Sequence, residues 1–294
     1  MIDFQENVPL KNYTSLKIGG PAEFFFSPTN VEELKTAIVW AKLHKHNITL
    51  LGGGTNTLVS DEGVKGLVIN MRKYTGIESF VEDGKVHIEA KGGSPKTLLL
   101  REFLKYKLQP SEFLAGLPGD VAGGVVMNAG IGELTIQPRE FCEIIEWVEV
   151  LRDTQVVRIE AKDIQFSYRK SKGWQPGIIS KVGFVWPNQP DETVMDRVKA
   201  LNKARNVKQP LEFPNAGSVF VNPPGHKSGK LIEECGLKGY RFGDAQVSEK
   251  HANFIINLGN AKATDVLQVI KHVQDTVLEH KGVSLHPEWV LLGF

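Results

Sequence analysis

The sequence predicts an α+β protein built from more than one domain. The chain has 294 residues, which is more than one ordinary hydrophobic core organises, and 41% of them are hydrophobic, as in an average globular protein. Segments with helical periodicity alternate with short runs of strand character, and the pattern changes after Pro210. From these observations we expect roughly two domains.

The N-terminal part of the chain predicts one small α/β unit. Residues 21–27 contain three consecutive phenylalanines and have strand character, and Asn30 is a residue type that caps helices. Two glutamates follow, and their charge suits the first turn of a helix. Apolar residues then recur at helical spacing as far as residue 45. Short strands are expected at residues 48–51 and 66–70.

The middle of the chain is rich in predicted strands. Asp83-Gly84 is a typical two-residue hairpin turn, and Asp153-Thr154 separates a second pair of strands. Ser94 and Pro95 are residue types favoured at the N-cap and first position of a helix, which we expect to run to residue 106. The strands expected in this region span residues 77–80, 86–90, 148–152 and 155–159.

The C-terminal part of the chain predicts a second α+β layer. Residues 191–206 are polar with an apolar stripe and predict a helix that links the two parts. A long helix is expected at residues 264–279, where apolar residues share one face. The other elements expected here are strands at residues 217–221 and 252–258 and a short helix at residues 231–235.

The charge pattern and the apolar pattern exclude several classes of function. The 35 basic and 34 acidic residues give a net charge of +1 without a basic stripe, so we expect no nucleic-acid partner. No apolar stretch approaches the roughly 18 residues that span a bilayer, and the acidic N-terminus lacks the apolar core of a signal peptide. We therefore expect a cytoplasmic protein that does not bind membranes. The eight histidines show no metal-ligand spacing, so no metal site is expected.

A glycine triplet suggests an anion site in the N-terminal part. Gly52, Gly53 and Gly54 follow a predicted strand and precede Thr55-Asn56-Thr57, so backbone N–H groups and side-chain donors can converge on an anion. The triplet taken alone equally fits a tight turn. It is not a P-loop, because Leu58 follows where that motif requires a lysine.

A second cluster of small residues covers residues 116–130. Such a run lets something flat or bulky lie against the backbone, although a buried packing turn is the simpler explanation of one such cluster. Two clusters in one region favour a large cofactor over two unrelated turns.

Several stretches, in one order along nearly the whole chain, resemble the UDP-N-acetylenolpyruvoylglucosamine reductase (MurB) family. These stretches are Asn12-Tyr13-Thr14-Ser15, residues 17–22, 51–56 and 116–130, Phe166-Ser167-Tyr168-Arg169, and residues 216–223, 238–240, 245–254 and 286–288. No single stretch is decisive, but the ordered set is specific. The short connection between Ser218 and Leu231 resembles the shorter, type II form of the family.

The resemblance implies a flavin enzyme of peptidoglycan precursor synthesis. The family fold has two subdomains of the vanillyl-alcohol oxidase type that bind FAD non-covalently, followed by a C-terminal α+β substrate-binding domain. By resemblance we expect these three domains at residues 1–70, 71–190 and 191–294. NADPH is the co-substrate and a UDP-sugar enolpyruvyl ether is the substrate. By resemblance, Gly52 to Thr57 hold the FAD pyrophosphate. The residues expected to line the flavin and its ribityl chain are Gly116, Pro118, Gly119, Val121, Gly123, Gly124 and Asn128.

Three residues match the catalytic positions of the family. A guanidinium grips a carboxylate in bidentate fashion, so Arg169 is expected to hold the substrate carboxylate and stabilise an enolate. Ser218 is the matched proton donor, and Glu288 is the matched second acid or electrostatic stabiliser. Without the resemblance these residues fit a surface ion pair, a packing residue and an exposed acid, respectively. Because Glu288 is so near the C-terminus, the tail must fold back onto the site.

Tyr168, Lys208, Asn222 and Gln246 are weaker candidates for contacts with the UDP-sugar. The chain departs from the family pattern at residues 132–142 and 172–187 and at His286, which precedes the matched Pro287-Glu288.

Two other functions fit part of the sequence. A different FAD-linked oxidase or dehydrogenase explains the N-terminal half but not Ser218 and Glu288, and a non-catalytic binding module leaves all three catalytic matches without a role.

Overall fold

The computed structural model describes residues 4–131 and 138–294. It contains two compact units. Unit 1 comprises Phe26–Gly53 and Ile69–Ala204, and unit 2 comprises Phe4–Phe25, Gly54–Val68 and Arg205–Phe294. Each unit is therefore assembled from segments that are distant in sequence. The division into three domains at residues 70 and 190 stays a prediction.

Helices form wherever the sequence predicts a long apolar period. Two short helices, α3 and α4, were not expected. None of the helices in the described residues has both the length and the apolar composition needed to cross a bilayer. The helices are α1 (Val31–Leu43), α2 (Lys96–Lys105), α3 (Pro110–Leu114), α4 (Val121–Val126), α5 (Val194–Lys208), α6 (Ser228–Glu234) and α7 (Ala263–Lys281).

The strands are short, and most of them pair in the antiparallel sense. In chain order they are β1 (Gln5–Pro9), β2 (Pro21–Phe26), β3 (Ile48–Leu51), β4 (Thr57–Val59), β5 (Val64–Asn70), β6 (Ile77–Glu82), β7 (Lys85–Lys91), β8 (Ile145–Arg152), β9 (Gln155–Glu160), β10 (Gln165–Ser167), β11 (Lys170–Lys172), β12 (Ile178–Pro187), β13 (Asn215–Ser218), β14 (Arg241–Phe242), β15 (Ala245–Val247), β16 (Phe254–Asn257) and β17 (Val290–Leu292).

Unit 1 is built on an antiparallel sheet in the order β6-β7-β12-β8-β9. Helices α2 and α4 contact this sheet, and apolar side chains from both layers form its core. Four buried aromatic rings meet edge to face there, with centroid distances of 6.5 Å for Phe103 and Phe184, 5.9 Å for Phe113 and Phe141, and 6.0 Å for Phe141 and Phe184. This packing fixes α4, which carries part of the second glycine cluster.

Two local predictions in unit 1 are confirmed. The turn Asp83-Gly84 joins β6 to β7 with φ values of 47° and 70°, the left-handed pair that a tight hairpin requires. Asn30 caps α1, because its side-chain oxygen accepts a hydrogen bond from the N–H of Glu33 at 3.0 Å. Both signals act between residues that are at most three positions apart, so the sequence alone could indicate them.

Unit 2 contains an antiparallel sheet in the order β13-β16-β15-β14, against which α7 packs. In addition, β1 pairs with β2, and the C-terminal β17 pairs in parallel with β4. The carboxylate of Asp61 accepts hydrogen bonds from the N–H groups of Ala263 and Thr264, at 2.7 and 3.0 Å, and so caps the start of α7. The helix ends at Gly282, whose φ of 66° is left-handed.

Three element predictions need correction. Ser94 does not cap α2, because its hydroxyl is buried against the backbone of Gly76 and the helix begins at Lys96. The strand expected at residues 217–221 is β13, which ends at Ser218, because its pairing with β16 is irregular and the backbone beyond Ser218 bonds instead to residues 286–288. Helix α6 begins three residues before the expected start at Leu231.

A buried tryptophan shows how tightly unit 1 is packed. Gly183 on β12 lies against one face of the Trp147 ring, and the Arg158 guanidinium lies over the ring at 3.7 Å from its centroid. A Cβ atom at position 183 would overlap the indole ring. The glycine is therefore needed for close approach and not for a turn.

Gly183→Ala is expected to lower the free energy of unfolding by about 1–3 kcal/mol, because the added methyl group overpacks the Trp147 ring. Gly76→Ala is the matched control, since its new methyl group would meet only the flexible Lys91 side chain at 3.4 Å. We expect the control to change stability by less than about 0.5 kcal/mol. Urea unfolding followed by tryptophan fluorescence measures both. Equal effects of the two substitutions would contradict this account of Gly183.

Candidate active site

The carboxylate of Asp120 joins the two glycine clusters within unit 1. Its Oδ2 accepts a hydrogen bond from the N–H of Gly53 at 2.7 Å, and its Oδ1 accepts one from the N–H of Gly123 at 2.7 Å. The second bond caps α4. A Cβ atom at Gly52 would overlap Oδ2. The glycine at position 52 is thus required by a carboxylate of the protein itself.

Gly52 and Gly53 are held from other sides as well. The Asn70 side-chain amide donates to the carbonyl of Leu51 at 3.2 Å, and the Arg72 guanidinium donates to the carbonyl of Gly53 at 2.8 Å. A Cβ atom at Gly53 would lie 3.0 Å from the Cα of Gly119. The two glycine-rich loops therefore touch backbone to backbone.

Packing also explains part of the second cluster. Gly124 on α4 is buried, and a Cβ atom there would overlap the ring of Phe141. The N–H groups of Val121 and Ala122 donate to the carbonyls of Ser94 and Gly92, each at 2.9 Å, which anchors the start of the helix. Packing against Phe141 thus accounts for the glycine at position 124. Contacts of Gly116, Pro118, Gly119, Val121, Gly123 and Gly124 with a cofactor stay predictions.

Asn128 ties the end of this cluster to the segment that carries Arg169. Its side chain is 1% exposed, and its φ of 38° is left-handed. The amide nitrogen donates to the Glu140 carboxylate at 2.9 Å and to the carbonyl of Ser167 at 3.3 Å, while the amide oxygen accepts from the N–H of Cys142 at 3.1 Å. Three protein partners thus engage a side chain that was expected to contact the cofactor.

Arg169 lies at the tip of the β10-β11 hairpin. Its φ is 58°, a conformation that is strained for an arginine and that is common at functional sites. The guanidinium donates to the carbonyl of Gly130 at 2.9 Å and lies 5.0 Å from the centroid of the exposed Tyr168 ring. Unit 1 therefore brings the predicted carboxylate-binding arginine to the end of the second glycine cluster.

The remainder of the first glycine loop belongs to unit 2. Ser15 connects this part of the loop to β13. Its N–H donates to the carbonyl of Gly54 at 3.0 Å, and its hydroxyl donates to the carbonyl of Asn215 at 2.7 Å. Gly54 is left-handed with a φ of 64°. Within residues 4–131 and 138–294, the N–H groups of Gly54, Thr55 and Asn56 donate to no other atom. These N–H groups are therefore available to an anion such as a pyrophosphate.

Ser218 ends β13 directly after a break in the sheet. Gly217 has a φ of 75°, and the pairing with β16 slips between Asn215 and Ser218, which faces Phe254. Such a bulge re-aims the side chain that follows it. Apart from its two chain neighbours, a Cβ atom at Gly217 would have the carbonyl oxygen of Thr55, 3.9 Å away, as its nearest neighbour, so the space beside Gly217 is open. Ser218 itself is half-buried.

The C-terminal tail folds back onto the segment that follows Ser218, as the sequence predicts. The N–H of Glu288 donates to the carbonyl of Val219 at 2.7 Å, and the carbonyl of Glu288 accepts from the side chain of Asn56 at 3.2 Å. The N–H of Val290 donates to the carbonyl of Asn56 at 2.9 Å. Unit 2 thus brings Glu288, the Ser218 strand and the Thr55-Asn56 loop together.

The candidates for contact with the UDP-sugar are spread over unit 2 and the tip of the hairpin. The oxygen of the exposed Asn222 side chain accepts from the N–H of Ser228 at 3.0 Å, at the start of α6. The side chain of Gln246 donates to the carbonyl of Gly239 at 3.1 Å. Lys208 is exposed at the last residue of α5. Tyr168 is exposed beside Arg169. Their roles stay predictions.

Asp120 and Ser15 were not assigned a role from the sequence. An N-cap signal was present at Asp120, since an aspartate precedes a short run of helix-compatible residues. Its contact with Gly53 joins residues that are distant in sequence, and only the fold reveals it.

The segment 132–142, where the sequence departs from the family pattern, lies partly outside the described residues, because the structure does not describe positions 132–137.

Comparisons with known families give matches over most of the chain. Residues 22–159 match a family model described as FAD binding domain. Residues 209–292 match a model described as UDP-N-acetylenolpyruvoylglucosamine reductase, C-terminal domain. The predicted fold class, an FAD-binding fold followed by a C-terminal α+β domain, is confirmed by these matches.

Full-length relatives carry the same description. The UDP-N-acetylenolpyruvoylglucosamine reductase of Synechococcus elongatus is 41% identical over 292 residues, which are 98% of this chain and 94% of that protein. The enzyme of that name from Clostridium botulinum is 40% identical over 289 residues, 97% of this chain and 91% of the other. The crystal structure of the Thermus caldophilus reductase superposes with a TM-score of 0.81 at 35% identity, covering 99% of this chain and 100% of that one.

Asp120→Asn is expected to lower the free energy of unfolding by about 2 kcal/mol, because an amide oxygen replaces one of two charge-assisted acceptors and the new NH₂ group faces an N–H donor. Asp196→Asn is the control. Its carboxylate is exposed and lies 3.4 Å from the Lys199 ammonium, so we expect a change of less than about 0.5 kcal/mol. Urea unfolding measures both variants. A loss at position 120 no greater than in the control would contradict the proposed link.

Proposed function

The chain belongs to the UDP-N-acetylenolpyruvoylglucosamine reductase family, and we propose that it reduces the enolpyruvyl ether of UDP-N-acetylglucosamine to UDP-N-acetylmuramate. It is an FAD-dependent oxidoreductase, and NADPH is its electron donor. The observation that carries this function is the 41% identity over 98% of the chain to a reductase of that name, combined with the FAD-binding match. The reaction belongs to peptidoglycan precursor synthesis, and we place it in the cytoplasm, where nucleotide sugars and NADPH are available.

The loop at residues 52–57 fits an FAD pyrophosphate. The N–H groups of Gly54, Thr55 and Asn56 donate to no other atom in the described part of the chain, and Thr57 adds a half-buried hydroxyl. These donors suit a diphosphate, which needs several convergent hydrogen bonds. When bound, FAD takes two electrons from NADPH and supplies them as a hydride to the substrate double bond.

Arg169 is proposed to hold the substrate carboxylate. As hydride adds to the terminal carbon of the enolpyruvyl group, negative charge develops on the adjacent carbon and its carboxylate. A guanidinium stays charged and forms two parallel hydrogen bonds to such a group, so it binds the substrate and stabilises the charge that develops. The contact with the Gly130 carbonyl and the strained backbone at the hairpin tip support a fixed position for this side chain.

Ser218 is proposed to deliver the proton. After hydride addition, the carbon that carries the enolate charge must gain a proton, and a hydroxyl can give it only in a site that excludes water. The bulge before Ser218 and the half-buried position of this residue support the role, because the residue is neither fully exposed to water nor sealed in the core.

Glu288 is proposed to act beside Ser218, as a second acid or as an electrostatic stabiliser of the enolate. The position of its main chain supports this role. Two hydrogen bonds of its backbone, to Val219 and from Asn56, fix it next to the segment that follows Ser218 and next to the pyrophosphate loop. A residue with this role requires such a fixed main chain, because catalytic groups tolerate little displacement.

The decisive experiment is a substrate-dependent assay of NADPH oxidation. Purified protein is expected to be yellow, and NADPH consumption is expected to require the UDP-enolpyruvyl sugar, with one NADPH consumed for each UDP-N-acetylmuramate formed. Absorbance at the NADPH band measures the rate, and mass spectrometry identifies the product. Rapid NADPH consumption with oxygen alone, and none that depends on the sugar, would instead support an oxidase of the same fold.

Ser218→Ala is expected to separate the two half-reactions. Reduction of the flavin by NADPH should keep its rate, whereas reoxidation of the flavin by the enolpyruvyl sugar should slow by roughly 10²- to 10⁴-fold, the usual contribution of a general acid. Anaerobic stopped-flow spectroscopy of flavin absorbance measures both steps. Ser111→Ala is the control, because this buried serine of unit 1 donates to the carbonyl of Leu108 and lies outside the proposed catalytic set. Equal slowing of both steps in Ser218→Ala would argue against a role in proton transfer.

A further inference from the structure

The backbone that follows Ser218 lies between two partners in unit 2. On one side, the N–H of Val219 donates to the carbonyl of Asn253 at 2.9 Å. On the other side, the carbonyl of Val219 accepts from the N–H of Glu288 at 2.7 Å, and the N–H of Val221 donates to the carbonyl of His286 at 3.0 Å. This segment therefore links the strand of Ser218 to the tail that carries Glu288.

The side chain of Asn253 takes the place of a strand in this arrangement. Its Oδ1 accepts from the N–H of Phe220 at 3.0 Å, and its Nδ2 donates to the carbonyl of Phe220 at 2.8 Å. One amide group thus pairs with both polar atoms of one residue, as a neighbouring strand would. Asn253 is 4% exposed, so water does not compete for these bonds.

The bulge makes such a side chain necessary. Regular pairing of β13 with β16 ends at Ser218 opposite Phe254. Beyond that point the segment has no continuous ladder on its β16 side, yet buried backbone groups must be paired. The Asn253 amide supplies the pairing and sets the distance between this segment and β16.

His251 fixes Asn253 in turn. The N–H of Asn253 donates to Nδ1 of His251 at 3.2 Å, and the imidazole packs against the ring of Phe254 at 4.8 Å between centroids. Burial lowers the pKa of His251, and the nearby Lys238 acts in the same direction, so the neutral ring that can accept this bond is favoured. The position of Asn253 is therefore determined on its backbone side as well.

We propose that Asn253 is a positioning residue for the proton-transfer step, because its side-chain amide holds the Val219–Val221 backbone that fixes Ser218 relative to Glu288. This inference rests on the proposed function. Asn253 touches neither the substrate nor the cofactor in this account. It acts only through the backbone between the two catalytic residues.

The test uses Asn253→Asp in the full-length holoenzyme. The carboxylate is nearly isosteric and still accepts from the N–H of Phe220, but it cannot donate to the Phe220 carbonyl and repels it. We expect reoxidation of the flavin by the enolpyruvyl sugar to slow by on the order of 10- to 100-fold, as small displacements of catalytic groups cause. Reduction of the flavin by NADPH should change less than about twofold, because unit 1 and the pyrophosphate loop are untouched. Anaerobic stopped-flow absorbance reports both rate constants.

Asn257→Asp is the matched control. Asn257 is also a buried asparagine of the same segment, 2% exposed, and its amide donates to the carbonyl of Leu16 at 3.0 Å and accepts from the N–H groups of Gly259 and Ala261, at 2.8 and 3.0 Å. Its substitution by aspartate removes the same kind of buried amide donor, but at a site that does not contact residues 219–221. We expect it to lower the thermal midpoint of unfolding while leaving the ratio of the two rate constants unchanged.

The outcomes separate the inference from the function on which it rests. A selective loss of the second half-reaction in Asn253→Asp supports the proposal. Equal slowing of both steps, no slowing of either, or the same selective loss in Asn257→Asp overturns it. Where Asn253→Asp does not fold, Asn253→Ala carries the same test, because it leaves both atoms of Phe220 without their partner. If the wild-type protein itself fails to reoxidise with the enolpyruvyl sugar, the proposed function fails instead.

Discussion

One carboxylate holds together the two glycine-rich loops that are proposed to bind the cofactor. Asp120 accepts an N–H from each of two loops that are separated by more than sixty positions, and both bonds are 2.7 Å long. The carboxylate occupies the volume that a side chain at Gly52 would need. The glycines of the first loop therefore serve two purposes. Gly52 and Gly53 admit a protein carboxylate, and the N–H groups of Gly54 to Asn56, which have no acceptor among the described residues, are proposed to bind the pyrophosphate.

The catalytic candidates lie where regular secondary structure is interrupted. Ser218 follows a bulge at a left-handed glycine, and Arg169 is itself left-handed at a hairpin tip. Glu288 is held by single hydrogen bonds to an adjacent segment and a loop, outside any helix or strand. Such positions depend on the surrounding residues to hold them, and at Arg169 the left-handed backbone also costs free energy. In unit 2 the surroundings are Asn253 and the C-terminal tail, and in unit 1 they are Asn128 and the Gly130 carbonyl.

Signals that are local in sequence predicted local structure well. Asp83-Gly84 and the cap at Asn30 depend on neighbours a few residues away, and both formed as expected. Ser94 failed as a cap because Gly76 binds its hydroxyl, and residues 217–221 failed as one strand because a bulge ends the pairing at Ser218. The catalytic positions came from a family resemblance, since nothing in the local sequence marks Ser218. Ser15, Asp120 and Asn253 act through contacts with residues far along the chain, which no pattern of spacing reveals.

Unit 2 is assembled from segments near both ends of the chain, and this affects the order in which the protein can fold during synthesis. Its core joins Leu16 and Leu58, near the N-terminus, to Trp289, five residues from the last residue of the chain. Strand β4 can pair only after β17 has been synthesised. The carboxylate of Asp61 likewise caps a helix that begins about 200 residues later, at Ala263. During synthesis, the second segment of unit 1 can pack its sheet while unit 2 still lacks most of its partners. Unit 2 closes only after β17 has been synthesised, so a chain that stops before Val290 would leave β4 without its parallel partner.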